Sequence, residues 1–125
     1  PVLALADLSR PFYICTDASI EGLGGILVQR DDDGTEHVIE YASRKLKPLE
    51  KKYSAQEIEA LAVLYCIERW ASQYFLGQLF HVETDSGNLR WLIKTPAINN
   101  RIARWSIVLQ AHHFILTHKP LRCSK

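Results

Sequence analysis

Two hydrophobic stretches of the chain end in the same way, on a threonine followed by an aspartate. The stretch 11-PFYICTDAS-19 ends its apolar run on Thr16 and Asp17, and 79-LFHVETDS-86 ends on Thr84 and Asp85. Each run has the length and composition of a buried strand. If the two strands are parallel neighbours in one sheet, both carboxylates lie at the same sheet edge. The sequence therefore predicts an acidic site where two strands end.

The length, composition and net charge of the chain indicate which classes of protein it can belong to. The chain has 125 residues, 47% of them hydrophobic, which fits one domain with one core. Its formal net charge of +1 is not the strongly basic balance of a dedicated nucleic-acid binder, although a local basic patch remains compatible with it. We see no signal peptide and no apolar run near the ~18 residues that span a bilayer, so we expect no membrane partner.

The three cysteines show no CxxC spacing, which argues against a metal or disulfide role. Cys15 and Cys66 lie in apolar segments and are predicted to be buried thiols. Such thiols are typical of a reducing compartment, so we expect an intracellular protein, cytoplasmic or nuclear.

Residue patterns predict the element order β-β-β-α-β-α-α-β. The predicted strands cover residues 12–17, 26–29, 37–43, 79–85 and 113–118, and the predicted helices cover 55–75, 88–94 and 100–111. Three antiparallel strands followed by βα units indicate an α/β (α+β) fold, in which helices pack on a five-stranded mixed sheet.

Paired carboxylates suggest a metal ion. Two such groups repel each other, which raises at least one pKa unless a cation neutralises them. Mg²⁺ prefers hard oxygen ligands and keeps several waters, and such sites suit phosphate chemistry. The alternative is that Asp17 and Asp85 simply begin turns, since aspartate favours turns.

The long helix offers a third acidic candidate. Ser54 and Glu57 form the S-x-x-E capping box that begins a helix, so Glu57 has a local role. Glu59 has no such role and shares a helical face with buried-type residues such as Ala62 and Cys66. Glu59 is therefore a candidate functional acid, and the alternative is that it only complements the helix dipole. Helical periodicity is compatible with both interpretations.

In six of its segments the chain resembles the ribonuclease H domain of reverse transcriptases, especially of Ty3/gypsy-type LTR retrotransposons. The resemblance covers about residues 1–120 and rests on PFYICTDAS, GLGGILVQ, VIEYASRKL, YSAQEIEALAV, HVETDSGNLRWL and RIARWSIVLQAHHFILTHKP. It implies a single RNase H-like domain over residues 1–125, with a reverse transcriptase polymerase domain as its partner in a parent polyprotein.

The resemblance also implies an activity and a site. Members of this family cut the RNA strand of RNA–DNA hybrids with two Mg²⁺ ions, for which Mn²⁺ can substitute. The positions that match the family's metal ligands are Asp17, Glu59 and Asp85, so the family pattern selects Glu59 rather than Glu57. The implied reaction is attack of water on a phosphodiester, which leaves 5′-phosphate and 3′-hydroxyl ends.

One departure from the family pattern bears on activity. The family usually carries a fourth acid after the last strand, in a segment resembling N-x-x-A-D-A-L-S-R. Here the sequence runs 117-THKPLRCSK-125, and no Asp or Glu follows Asp85. Either the final segment is missing from the sequence, or the domain has diverged. We expect these 125 residues to be a very weak nuclease or to have lost the activity, and the alternative is a catalytically inactive interaction module in a domesticated retroelement-derived protein. A purely structural domain that supports a neighbouring polymerase is a third interpretation.

Hydroxyl and basic side chains are candidates for contacts with the nucleic acid, since such groups make most phosphate contacts. The predicted contacts are Ser19, Ser86, Arg44, Lys45, Arg101 and Arg104. For the basic residues the alternative is a solvated charged surface, and for the serines it is capping of strand ends. The aromatic residues Trp70, Tyr74 and Phe75 are predicted to pack in the core rather than stack on bases.

Overall fold

The computed structural model of the chain describes residues 3–75, 77–84 and 100–118. The strands are β1 (Tyr13–Ala18), β2 (Gly22–Arg30), β3 (Glu36–Lys45), β4 (Phe80–Thr84) and β5 (Phe114–His118). The helices are α1 (Ala55–Trp70) and α2 (Asn100–Gln110), with a short 3-10 helix at Glu50–Lys52 and a π-helical turn at Ala71–Phe75. The predicted helix at 88–94 lies outside the described residues.

The five strands form one mixed sheet in the order β3-β2-β1-β4-β5. The β1–β2 and β2–β3 pairs are antiparallel, whereas β1–β4 and β4–β5 are parallel. Helix α1 packs on β1 and β2. The predicted mixed sheet with packed helices is confirmed.

Strand β2 is longer than predicted. It begins at Gly22 instead of residue 26, so Gly22, Gly24 and Gly25 lie inside the strand. Packing explains why residue 25 is a glycine, because a Cβ built there would lie 2.2 Å from the Cys66 Sγ of α1. The missing side chain lets the helix approach the sheet closely, which glycine inside a strand often permits.

Helix α1 begins as its sequence predicts. The Ser54 Oγ accepts a hydrogen bond from the Glu57 backbone N–H at 3.1 Å, and the Ser54 N–H donates to Glu57 Oε1 at 2.8 Å. These two bonds are the reciprocal capping box. The helix does not continue regularly to residue 75, since a π-helical turn takes over after Trp70.

The core lies between α1 and the sheet. Trp70 and Phe75 are buried, and Trp70 donates its indole N–H to Glu40 Oε2 at 2.9 Å. Tyr74 packs against this core and donates its hydroxyl to Glu40 Oε1 at 3.1 Å. The prediction that these three aromatic residues pack in the core is therefore confirmed.

The two cysteines in apolar segments differ in their bonding state. Cys66 is a buried free thiol, as predicted, and burial raises its pKa to about 12. Cys15 is also buried but is disulfide-bonded, so the prediction of a free thiol is wrong there. Among the residues that the structure describes, no helix is both long enough and apolar enough to cross a membrane.

Candidate metal centre

Strands β1 and β4 lie side by side and run in the same direction. Their register pairs Tyr13 with His81 and Cys15 with Glu83, so both strands reach the same edge of the sheet. The predicted parallel neighbours are thus confirmed. Strand β4 ends at Thr84, and Asp85 follows it in the sequence but lies outside the described residues.

A small cleft at this edge brings two of the predicted ligands together. Asp17 from the end of β1 and Glu59 from the second turn of α1 line it, together with Thr84 from the end of β4. Asp17 is exposed, Glu59 is half-buried and Thr84 is buried. Residues from three separate elements therefore converge where the sequence predicts an acidic site.

The chemistry of this cleft fits a hard divalent cation. Its lining residues are Thr16, Asp17, Ala18, Glu59, Ala62 and Thr84, which offer carboxylate, hydroxyl and backbone oxygens. Mg²⁺ and Mn²⁺ prefer such oxygen ligands. Within residues 3–75, 77–84 and 100–118 no group of three or more His, Cys, Asp or Glu side chains is placed to hold a metal. Asp17 and Glu59 supply two carboxylates there, and the third predicted ligand is Asp85.

A wider groove adjoins the cleft and shares Asp17 with it. Its lining includes Ser19 and Glu21 from the turn between β1 and β2, and Arg44 and Lys45 from the end of β3. Three of the predicted nucleic-acid contacts thus lie beside Asp17 on one surface. The arrangement gives the groove basic and hydroxyl groups next to the carboxylates.

The Ser19 hydroxyl supports the local turn. Its Oγ accepts hydrogen bonds from the backbone N–H groups of Glu21 at 3.1 Å and Gly22 at 3.3 Å. These bonds match the capping alternative. Ser86 lies outside the described residues.

The two basic residues of β3 differ in their surroundings. Arg44 forms a two-pronged ion pair with Glu50, at 2.8 Å and 3.1 Å. The Arg44 hydrogen bonds hold the pKa of the Glu50 carboxyl below its usual range, against the opposing effect of burial. Lys45 is exposed at the groove. Lys45 therefore presents its charge to solvent, whereas Arg44 is paired with Glu50.

The arginines of α2 show the same contrast. Arg101 donates to Glu57 Oε2 at 2.6 Å, and its guanidinium lies 4.1 Å from the centre of the Tyr53 ring. Burial would raise the pKa of Glu57, but its hydrogen bonds with Ser54 and Arg101 outweigh that effect and lower it. Arg104 is exposed one turn further along. Sequence reasoning missed the carboxylate partners of Arg44 and Arg101, because nothing in their spacing indicates a contact.

Comparison with protein families gives a match over residues 7–112, to the RNase H-like domain found in reverse transcriptase. The Pol polyprotein of the Drosophila melanogaster transposon 297 is 34% identical over 114 residues, which cover 91% of this chain and 10% of that protein. The Tf2-3 transposon polyprotein of Schizosaccharomyces pombe is 31% identical over 125 residues, which cover 96% of this chain and 9% of that protein. The chain spans about a tenth of these relatives.

Solved structures show the same fold. The foamy viral protease-reverse transcriptase in complex with double-stranded DNA superposes with a TM-score of 0.77 at 21% identity, over 99% of this chain and 26% of that chain. The same viral protein in complex with an RNA/DNA hybrid gives a TM-score of 0.70 at 21% identity, over 98% of this chain and 18% of that chain.

Proposed function

The chain belongs to the family of RNase H-like domains of reverse transcriptases, and on that premise we propose that it hydrolyses the RNA strand of RNA–DNA hybrids with divalent cations. The observation that carries this proposal is the convergence of Asp17 and Glu59 on one cleft beside the end of β4. We propose Asp85, the next residue after β4, as the third ligand.

These three residues share one role in the proposed reaction. Asp17, Glu59 and Asp85 would hold Mg²⁺ or Mn²⁺ through carboxylate oxygens. When bound, the cations supply positive charge that favours deprotonation of water and stabilises the departing oxygen. The chain itself holds the scissile phosphate in place with the strand ends and α1, and this positioning is the protein's main contribution to the rate. No covalent nucleophile is needed.

The groove beside Asp17 is the proposed path of the hybrid. Exposed Lys45 and Arg104 are suited to phosphate contacts, because their charges face solvent. The hydroxyls of Ser19 and Ser86 would contact the sugar–phosphate backbone. The sequence predicts phosphate contacts for Arg44 and Arg101 as well, but each of them pairs with a glutamate. We therefore assign the phosphate contacts mainly to the two exposed residues.

We propose that the 125 residues by themselves cleave slowly. The sequence has no Asp or Glu after Asp85 that could act as a fourth ligand. Hydrolysis with two metals needs both the attacking and the leaving oxygen stabilised, so a weak second site lowers the rate. Because the matched relatives are Pol polyproteins, we further propose that a polymerase domain delivers the hybrid to this domain.

The test is strand-specific cleavage. The purified chain is given RNA–DNA hybrid labelled on the RNA strand or on the DNA strand, with DNA and RNA duplexes of the same sequence as controls. We expect only the RNA strand of the hybrid to be cut, with 5′-phosphate and 3′-hydroxyl ends, and a chelator should stop the reaction. Binding of the hybrid without cleavage in Mg²⁺ or Mn²⁺ would instead support the interaction module.

A further inference from the structure

A cluster of four side chains joins the beginnings of α1 and α2. Glu57 lies in the first turn of α1 and Arg101 in the first turn of α2, and their side chains meet at 2.6 Å. The Arg101 guanidinium lies over the Tyr53 ring at 4.1 Å and near the Trp105 ring at 5.6 Å. Those two rings contact each other edge to face at 5.7 Å between their centres. We call these four residues the helix-start cluster.

The position of Arg101 is unfavourable for a cation on its own. A positive side chain in the first turn of a helix opposes the helix dipole, which favours acidic groups there. The Glu57 carboxylate lies at the first turn of α1 and compensates for this charge where the two helix starts meet. Its side chain is only 17% exposed and that of Arg101 is 30% exposed, so solvent screens the pair incompletely. The ion pair therefore joins the first turns of α1 and α2.

Arg101 is also poorly placed to bind phosphate. Its Nε is buried and has no hydrogen-bond partner among the described residues, so this nitrogen cannot reach a ligand in solvent. Its Nη2 is held by Glu57, and its planar face lies against aromatic rings. These contacts fix the guanidinium inside the protein and favour a role that acts through other residues.

The helix-start cluster and the metal cleft share helix α1. Glu59 follows Glu57 by two residues on α1 and lines the cleft with Asp17. Arg101 lies just after the segment that begins at Asp85 and joins β4 to α2. We propose that the Glu57–Arg101 pair positions the Glu59 carboxylate in the metal cleft, by fixing the first turn of α1 against the start of α2. This inference rests on the function proposed above.

Two substitutions, made singly and together, test the proposal in the 125-residue chain. Glu57→Gln keeps the capping box, which accepts Gln as well as Glu, but removes the charge that pairs with Arg101. Arg101→Met keeps an unbranched stem and removes the guanidinium. The third variant combines both changes. Glu68→Gln, on an exposed position of α1 remote from the cleft, is the matched neutral control.

The decisive readout is the dependence on metal. In both single variants we expect the affinity for Mn²⁺, measured by calorimetry, to fall about tenfold or more, as when a group that orients a metal ligand is lost. The metal concentration for half-maximal hybrid cleavage should rise in parallel, while the KM for hybrid stays unchanged. The double variant should resemble each single variant, because all three remove one interaction.

Two measurements without metal accompany this readout. Amide hydrogen exchange at Ile58 should be faster in the variants than in the wild type, whereas exchange at Cys66, in the middle of α1, should not change. The drop in Tm of the double variant should be smaller than the sum of the single drops. These readouts apply even if the wild type cleaves nothing.

Three results would overturn the inference, and they differ from a failure of the proposed function. Unchanged metal dependence with a lower Tm would show that the pair stabilises the fold and does not position a metal ligand. A raised KM for hybrid and a weaker salt dependence in Arg101→Met would make Arg101 a phosphate contact, the pattern that we expect for Arg104→Met. Unchanged exchange and additive Tm changes would show that the pair fixes nothing. Absence of metal binding and cleavage in the wild type would refute the proposed function itself.

Discussion

At the scale of single residues, two glutamates two positions apart on α1 have different roles. Glu57 caps the helix and pairs with Arg101, whereas Glu59 lines the cleft with Asp17. The capping pattern in the sequence separates them correctly at the helix start. The sequence could not show the partner of Glu57, because Arg101 is 44 residues away and reaches it only through the packing of two helices.

We expect Glu59→Gln to remove most of the metal binding. The amide keeps the size of the side chain but loses the charge that attracts a cation. The loss of Mn²⁺ affinity and of hybrid cleavage should exceed the roughly 10–100-fold that accompanies loss of a group outside the ligand shell. Calorimetry and the cleavage assay measure it, with Glu68→Gln on the same helix as the control. Wild-type affinity in Glu59→Gln would remove Glu59 from the site.

At the scale of elements, the position of α1 over the sheet depends on a close contact. A side chain at Gly25 would collide with the Cys66 Sγ of α1 at 2.2 Å, whereas at Gly24 its nearest neighbour would be the Ala42 carbonyl oxygen at 3.7 Å. The first distance is a steric clash and the second an ordinary contact. The distance between helix and sheet is therefore set partly by the absence of one methyl group.

Gly25→Ala should destabilise the protein by about 1–3 kcal/mol, the usual cost of overpacking a core. Gly24→Ala is the matched control and should have a much smaller effect. Adding Cys66→Ala should restore part of the lost stability, because it removes the sulfur atom that clashes. Urea unfolding of the single and double variants measures all three effects. Equal effects of Gly24→Ala and Gly25→Ala would contradict the close-contact explanation.

The order of the elements could be predicted from the sequence, whereas some of their bounds could not. The alternation of polar and apolar residues correctly locates the described strands. The Ser54–Glu57 capping box correctly locates the start of α1. The predicted start of β2 is wrong, because glycine is rare in strands and only pairing with β1 and β3 keeps Gly22 and Gly24 extended. The π-helical turn after Trp70 has no separate signature in the hydrophobic pattern.

At the scale of the whole molecule, ion pairs hold the segments around the cleft to the sheet and helices. Arg44–Glu50 ties the end of β3 to the 3-10 helix, and Arg101–Glu57 ties α2 to α1. The Arg101–Glu57 pair could not be predicted, because its partners are 44 residues apart in the sequence. Arg44 and Glu50 are six residues apart, but the sequence does not show that the chain between them turns back and brings them together. These pairs also neutralise Arg44 and Arg101, two of the residues that the sequence predicts as phosphate contacts.

These pairs predict an acid-sensitive fold. The folded-state pKa of Glu50 lies below its ordinary 4.5, first because of the Arg44 hydrogen bonds. The stabilisation is therefore fully present above the ordinary pKa and is lost as the pH falls toward the lowered one. Glu50→Gln should lower the free energy of unfolding at neutral pH and reduce its decline below about pH 5.

Urea unfolding over a series of pH values measures this effect. Gln56→Ala, an uncharged change at an exposed position of α1, is the control and should leave the pH dependence unchanged. If Glu50→Gln showed the same decline as the wild type, the Arg44–Glu50 pair would contribute nothing to it.

The most direct test of the central claim is cleavage of an RNA–DNA hybrid by the wild type and by Asp17→Asn, in Mg²⁺ and in Mn²⁺. We predict slow cleavage of the RNA strand by the wild type, with more product in Mn²⁺, and no product from Asp17→Asn with either metal. Equal cleavage by both proteins would show that the chemistry lies elsewhere. No cleavage by the wild type in either metal would contradict the proposed activity and leave an RNase H-like fold without hydrolysis.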